Sequence, residues 1–193
     1  MHIYLASKSP RRQSLLRQIE VSFDLIEAEI NESPLDDEVP LDYVIRMANE
    51  KAKAGWKQKE RKFDIPLLAA DTSVVLQDTI LGKPSNRQDA FNMLSMLSGK
   101  THQVISCVAV LNASQQRLAT SITDVTFCDL SKQQIESYIE NGNCLDKAGS
   151  YGIQGYAAKF VEDISGSYSG VVGLPLFETA KLLDVFALKN DNK

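Results

Sequence analysis

Histidine and cysteine are scarce in this chain of 193 residues. Its two histidines, His2 and His102, leave little material for a serine or cysteine nucleophile served by a histidine base. The three cysteines, Cys107, Cys128 and Cys144, are odd in number and far apart, with no C-x-x-C pair. They therefore suggest neither a disulfide framework nor a zinc site, and are expected as reduced, mostly buried thiols. Nucleotide-binding and hydrolase signatures are missing too: there is no G-x-x-x-x-G-K-[ST], no G-x-G-x-x-G after a strand and no G-x-S-x-G. No stretch approaches the roughly 20 apolar residues of a membrane span. The start, MHIYLASKSPRR, has too short an apolar run for a signal peptide and carries its charges on the wrong side. A soluble cytoplasmic protein is expected. Positive charge is not in excess either. With 21 Lys and Arg against 25 Asp and Glu, the formal net charge of −4 argues against nucleic acid or an anionic membrane as partner. A local basic cluster for a small anion remains open.

What is present suits a compact globular chain: 44% hydrophobic residues for a core and 24% charged residues for a solvated surface. Strand-like and helix-like segments alternate. Short strands are expected at 3–6 and 21–26, and a helix from Pro10 to Ile19. A stronger helix, 41–56, repeats Leu41, Val44, Ile45, Ala48 and Ala52 at the helical period. An apolar strand at 66–76 leads through a turn at 77–79 to Gly82-Lys83-Pro84. A helix at 87–98 ends at Gly99, and two long strands follow at 101–111 and 118–130. Ser131 with Gln134 forms a capping box for a helix closed by Gly142. After a loop at 146–155 come a strand at 160–164 and a helix at 174–188. No linker divides the chain, so 1–193 is expected as one domain. The fold class is α/β (mixed α+β), and the long hairpin makes part of the sheet antiparallel.

Chemistry concentrates in few places. In Ser7-Lys8-Ser9-Pro10-Arg11-Arg12, Ser9 suits the N-cap and Pro10 the first helical position. Cations at a helix N-terminus oppose the macrodipole, so Lys8, Arg11 and Arg12 there point to a bound anion, the alternative being a solvated surface cluster. Asp71 interrupts an otherwise apolar strand, where an unpaired carboxylate is costly. It must meet a metal, a lysine or the proton of an attacking water, unless it caps a bulge or strand end. Lys83, between Gly82 and Pro84, suits a phosphate or a pairing with Asp71. Glu32 and Lys51, taken alone, read as a surface acid and a surface base. The glycine-spaced run 146–155 suits a pocket wall, with Gln154 offering donor and acceptor to a base edge.

Several strings together resemble the Maf-like family: L-A-S-K-S-P-R-R-Q-S-L-L, A-A-D-T-S-V-V, L-G-K-P, M-L-S-M-L-S-G-K-T-H, D-K-A-G-S-Y-G-I-Q-G and V-V-G-L-P-L. The similarity spans about residues 3–185. It implies a Maf/Ham1-like (ITPase) fold, a mixed twisted sheet with flanking helices and two lobes around a cleft. It also implies hydrolysis of a nucleoside triphosphate between the α and β phosphates with a divalent cation, Mg²⁺ or Mn²⁺. By resemblance, Asp71 is the general base, and Ser7, Arg11, Arg12 and Lys83 are phosphate-binding positions. Glu32 and Lys51 are further cleft residues, with Glu32 and Asp71 as metal ligands. Arg12, Thr72 and Gln154 resemble the subgroup acting on dTTP and UTP. The resemblance is compatible with a homodimer, and with a second role as a nucleotide-binding regulator of cell division and septum formation with little turnover.

Overall fold

The computed structural model describes residues 1–58, 65–141 and 144–187. Its strands are β1 (His2–Leu5), β2 (Ser22–Leu25), β3 (Leu67–Leu76), β4 (Thr79–Leu81), β5 (Thr101–Leu111), β6 (Gln116–Phe127) and β7 (Val161–Ser165). Its α-helices are α1 (Pro10–Gln18), α2 (Pro40–Trp56), α3 (Arg87–Leu97), α4 (Lys132–Asn141), α5 (Tyr168–Val172) and α6 (Leu176–Ala187). The expected mixed α/β class is what these elements form. The strands make one seven-stranded sheet in the order β2-β1-β3-β5-β6-β7, with β4 added beside β3. β1 pairs parallel to β2 and β3, and the rest of the sheet is antiparallel. No helix among the described residues is long and apolar enough to cross a membrane.

Strand alternation divides the core into two layers. Leu68, Ala70, Val74 and Leu76 of β3 face one cluster, which α1, α3, α4 and α6 cover with Leu16, Leu94, Ile135 and Phe186 among others. Leu67, Ala69 and Val75 face the other, which α2 covers with Tyr43, Val44, Met47, Ala48 and Ala52. Both faces of the central strands are buried, so β3 and β5 read as near-continuous apolar runs rather than as alternating ones.

Local signals placed most boundaries within two or three residues. The Ser131/Gln134 capping box forms, with Ser131 N donating to Gln134 Oε1 at 2.8 Å and Gln134 N to Ser131 Oγ at 3.3 Å. Gly142, its expected terminator, lies outside the described residues, as does Leu188 at the end of the last helix. The strand expected at 118–130 is offset to Gln116–Phe127, because pairing with β5 continues back to Gln116. Ser9 is the N-cap of α1, yet its hydroxyl makes no cap hydrogen bond.

The loop after α4 is held by packing. Gly149 has φ +64°, and a Cβ there would lie 2.9 Å from Val74 Cγ1. Its N–H donates to Gly82 O at 3.1 Å, docking the loop on the β3–β4 hairpin. Tyr151 hydrogen-bonds buried His102 (Oη to Nε2, 2.8 Å), and both rings meet Phe127 edge-on. Burial holds the His102 imidazole down to about 4 from its ordinary 6.5. The unfolded chain therefore takes a proton first. His102 contributes its full stability above about pH 6.5 and loses it as the pH falls toward 4, a loss on the order of 3 kcal/mol. Urea unfolding followed from pH 7 to pH 4 is expected to show that loss in the native chain and a smaller one in His102→Gln; equal slopes would contradict it.

Candidate active site

A gap in one strand edge creates the site. β1 pairs with β3 only through Tyr4↔Leu67 and Leu5↔Leu68, and β4 takes up the same edge of β3 at Val74. Between them, residues 69–73 have a strand partner on the β5 side only. Asp71, Thr72 and Ser73 on this open edge line a cavity of about 1100 Å³. The β1–α1 turn, α2, the end of β4 and the loop around Gln154 complete its walls.

Asp71 does not cap a bulge or end a strand. It sits in regular pairing with Cys107 across β5, 8% exposed. Its side chain faces α2, and the partner that offsets its burial is Lys51, whose Nζ lies 2.8 Å from Asp71 Oδ1. The same Nζ lies 2.7 Å from Glu32 Oε1. One ammonium, 13% exposed, thus bridges two carboxylates. Partial burial pushes the Glu32 carboxyl up, but Lys51, then Lys83 and Arg12, hold it below its ordinary value. Burial, with Asp71 adding to it, pushes the Cys107 thiol up to about 12, so Cys107 is an inert neighbour.

Glu32 lies on a segment without regular structure, and α2 fixes it there. Tyr43 Oη donates to Glu32 O at 2.9 Å, and Arg46 Nη2 donates to Ser33 O at 3.0 Å. Arg46 also grips Glu38 with two bonds of 2.6 Å, which hold that carboxyl down to about 2. Burial and the charges of Asp71 and Glu32 push the Tyr43 phenol up to about 12, so it stays protonated and able to donate.

On the other face of β3, Arg12 is held by every arm of its guanidinium. Nε donates to Gly173 O at 2.8 Å, Nη1 to Ser7 Oγ at 3.3 Å and Nη2 to Thr72 Oγ1 at 3.5 Å. Thr72 Oγ1 meets Ser106 Oγ at 2.8 Å, and Ser106 in turn donates to Gly170 O at 2.8 Å. Gly173 closes α5 at φ +134°, a conformation that suits glycine and turns its carbonyl to Arg12. Burial lowers the Arg12 pKa although Asp71 opposes this. Among the described residues no carboxylate contacts this partly buried guanidinium, which suits it to an incoming anion.

The remaining expected residues divide. Arg11 contacts Asp146 at 3.4 Å, and Asp146 also meets Lys147 at 2.5 Å. Lys83 lines the cavity without pairing with Asp71; its charge acts on Glu32 instead. Gln154 is exposed on the cavity wall. Lys8 also lines the cavity, but its ammonium pairs with exposed Glu27 and Glu29 at 3.0 and 3.7 Å, so it does not add to the Arg11/Arg12 pair. Asp146 and Lys147 fall in the run expected to wall a pocket, although neither was singled out there, and both line the cavity. Sequence reasoning missed Tyr43, Arg46 and Ser106, of which Ser106 left a trace as a hydroxyl in the middle of an apolar strand.

A family model described as Maf-like protein matches residues 2–186. The chain belongs to the Maf-like family. This Maf-like chain is 49% identical over 190 residues to the dTTP/UTP pyrophosphatase of Pseudoalteromonas atlantica, covering 98% of this chain and 99% of that one. It is 48% identical to a protein of the same name from Nitrosomonas europaea, covering 94% and 93%. A third so named, from Chromobacterium violaceum, is 49% identical, covering 97% and 96%. The solved structure of the Staphylococcus aureus Ham1 protein aligns over 100% of both chains at 10% identity with a TM-score of 0.49.

Because Lys51 offsets a buried carboxylate, its removal has a definite cost. Lys51→Met is expected to lower stability by about 3 kcal/mol. Adding Asp71→Asn to it should restore part of that loss, since the second change removes the stranded charge. Denaturant unfolding of both single variants and the double variant measures the coupling; strict additivity would show that the contact carries no energy.

Proposed function

We propose that this Maf-like protein is a nucleoside triphosphate pyrophosphatase that hydrolyses dTTP and UTP to the monophosphate and pyrophosphate. The observation that carries the reading is the Glu32–Lys51–Asp71 bridge opening on the same cavity as Arg11, Arg12 and Lys83. Carboxylates that position a water and cations that take phosphate charge are the two requirements of anhydride hydrolysis. The relatives named dTTP/UTP pyrophosphatase support the reaction and the pyrimidine preference.

In this reading Asp71 holds the attacking water and accepts its proton as the water approaches the α phosphorus. Lys51 fixes the carboxylate and compensates its charge. Arg12, with Ser7 and Arg11, binds the phosphate chain, and Lys83 stabilises the charge that develops on the leaving pyrophosphate. Thr72 acts through its contacts, holding Arg12 beside Gly173. Gln154 reads the base, because one amide offers a donor and an acceptor to the O4 and N3–H edge of uracil or thymine.

Among the described residues no three His, Cys, Asp or Glu side chains converge as a metal site. Two carboxylates nevertheless suit Mg²⁺ or Mn²⁺, which characteristically take one or two protein carboxylates and complete their shell with phosphate oxygens and water. Asp71 and Glu32 each give one oxygen to Lys51 and keep a second, so they are the residues that would hold the cation. When bound it supplies neutralisation of phosphate charge.

The test is to incubate the protein with Mg²⁺ or Mn²⁺ and each of dTTP, UTP, CTP, GTP, ITP and 7-methyl-GTP, and to resolve the products. Monophosphate plus pyrophosphate, chiefly from dTTP and UTP, is expected. The same products chiefly from another base would keep the reaction and overturn the base preference. Binding without turnover would replace the enzyme by a nucleotide-binding regulator. Asp71→Asn is expected to keep the fold and lose roughly 10²–10⁴ in turnover; a near-normal rate would remove Asp71 as base. Arg12→Ala should act mainly on substrate concentration dependence, and an unchanged KM would overturn its role.

A further inference from the structure

Beside the cations assigned above, one more lysine is built into the cavity wall and held there by an acid. Lys147 lines the cavity, and its side chain is 16% exposed, unlike the solvated Lys8 at 70%. Its methylene arm lies across Gly152, where an added Cβ would stand 2.8 Å from Lys147 Cε. Its backbone is fixed at both ends of a turn: N donates to Cys144 O at 3.3 Å, and O accepts from Ser150 N at 3.1 Å. The ammonium therefore has a set position, 2.5 Å from Asp146 Oδ1.

Asp146 also accepts from Arg11 Nη1 through its other oxygen, at 3.4 Å. Burial pushes this carboxyl up, but Lys147 and then Arg11 hold it below its ordinary value. The carboxylate side chain itself is 62% exposed and belongs to a loop, not to a strand or helix. Asp71 and Glu32 share a buried lysine, whereas Asp146 is an exposed acid spanning two cations at the wall of the cavity. An exposed acid seated between two cations occupies the kind of place a phosphate takes.

We propose that Lys147 is a further phosphate-binding residue, and that Asp146 stands in for the phosphate on Lys147 and Arg11 until the phosphate chain displaces it. The inference rests on the pyrophosphatase reading and deepens it: Lys147 and Arg11 take the pyrophosphate portion of the substrate, and the exchange of one anion for another keeps the wall compensated in both states. On the acid's side the cost includes a loose contact to Arg11, and the Asp146 carboxylate is largely solvated before it is displaced. Its consequence is that Asp146 competes with the ligand, so removing that charge tightens binding.

The experiment is calorimetric titration of the full chain with inorganic pyrophosphate in Mg²⁺, for the native protein, Lys147→Met and Asp146→Asn, with circular dichroism to confirm folding. Lys147→Met is expected to bind about tenfold more weakly, as a lost charge-assisted contact implies. Asp146→Asn is expected to bind severalfold more tightly, with a steeper salt dependence. Unchanged affinity in Lys147→Met would overturn the lysine's role. Weaker binding in Asp146→Asn would show that the acid aligns the cations instead of competing with the ligand. Absence of pyrophosphate binding in the native protein would overturn the whole inference. Turnover of dTTP by the native protein, measured alongside, separates these failures from failure of the pyrophosphatase reading. Should Lys147→Met unfold, Lys147→Gln, which keeps a polar donor without the charge, replaces it under the same criteria.

Discussion

A carboxylate in the middle of a buried strand, paired there on one edge only, is the constraint on which the site depends. Asp71 is paired to Cys107 within a run of otherwise small and apolar residues, and water does not solvate it well there. A lone charge in such a place is unstable, so a cation must be delivered from the layer above. Lys51 answers that need from α2. Once α2 is fixed over the sheet by Val44, Met47, Ala48 and Ala52, the same helix also anchors Glu32 through Tyr43 and its neighbour Ser33 through Arg46. The acid, its counter-charge and the second acid are therefore one packing unit, assembled by one helix on one strand.

The second constraint is the interruption of the β3 edge. If β1 were five residues longer, its backbone would cover residues 69–73 and the cavity would be filled by strand. Because β1 ends at Leu5 and β4 reaches back along β3 only as far as Val74, the strand presents adjacent side chains to the same opening from its two faces. Asp71 reaches the α2 side, and Thr72 the side of Arg12 and Gly173. Strand alternation thus separates the acid–lysine group from the guanidinium group by a single residue, and keeps Arg12 out of ion-pairing distance of Asp71. An Arg–Asp pair would have consumed both charges.

The loop that closes the cavity opposite Arg11 belongs to the larger core rather than to the surface. Gly149 packs on Val74, Tyr151 bonds His102, and Ile153 is buried, while Gln154 between Ile153 and Gly155 stays exposed on the cavity wall. A polar side chain on the cavity wall is in this way carried on a rigid apolar base. Rigidity of this kind favours discrimination between ligands, because the site does not relax around a poor one.

Most elements were legible in the sequence because their causes are local: the 3.6-residue repeat of α2, the apolar runs of β3 and β5, the Ser131/Gln134 box and the Pro10 start of α1. Asp71 also announced itself, as an acid out of place. Lys51 did not, although it stands four residues after Met47 and three after Ala48, on the apolar face of α2. Read alone, a lysine on a helix is a solvated lysine, and only the position of β3 beneath it makes it a buried one. The same holds for Arg12, whose Gly173 partner is 161 residues away, and for Asp146, which finds Arg11 across 135. The sequence by itself determined the family, the elements and the unusual acid and basic cluster, since periodicity and propensity act within a few residues. The tertiary structure alone decided which charge meets which, because ion pairing is set by distance in space and burial, and neither is encoded by spacing along the chain.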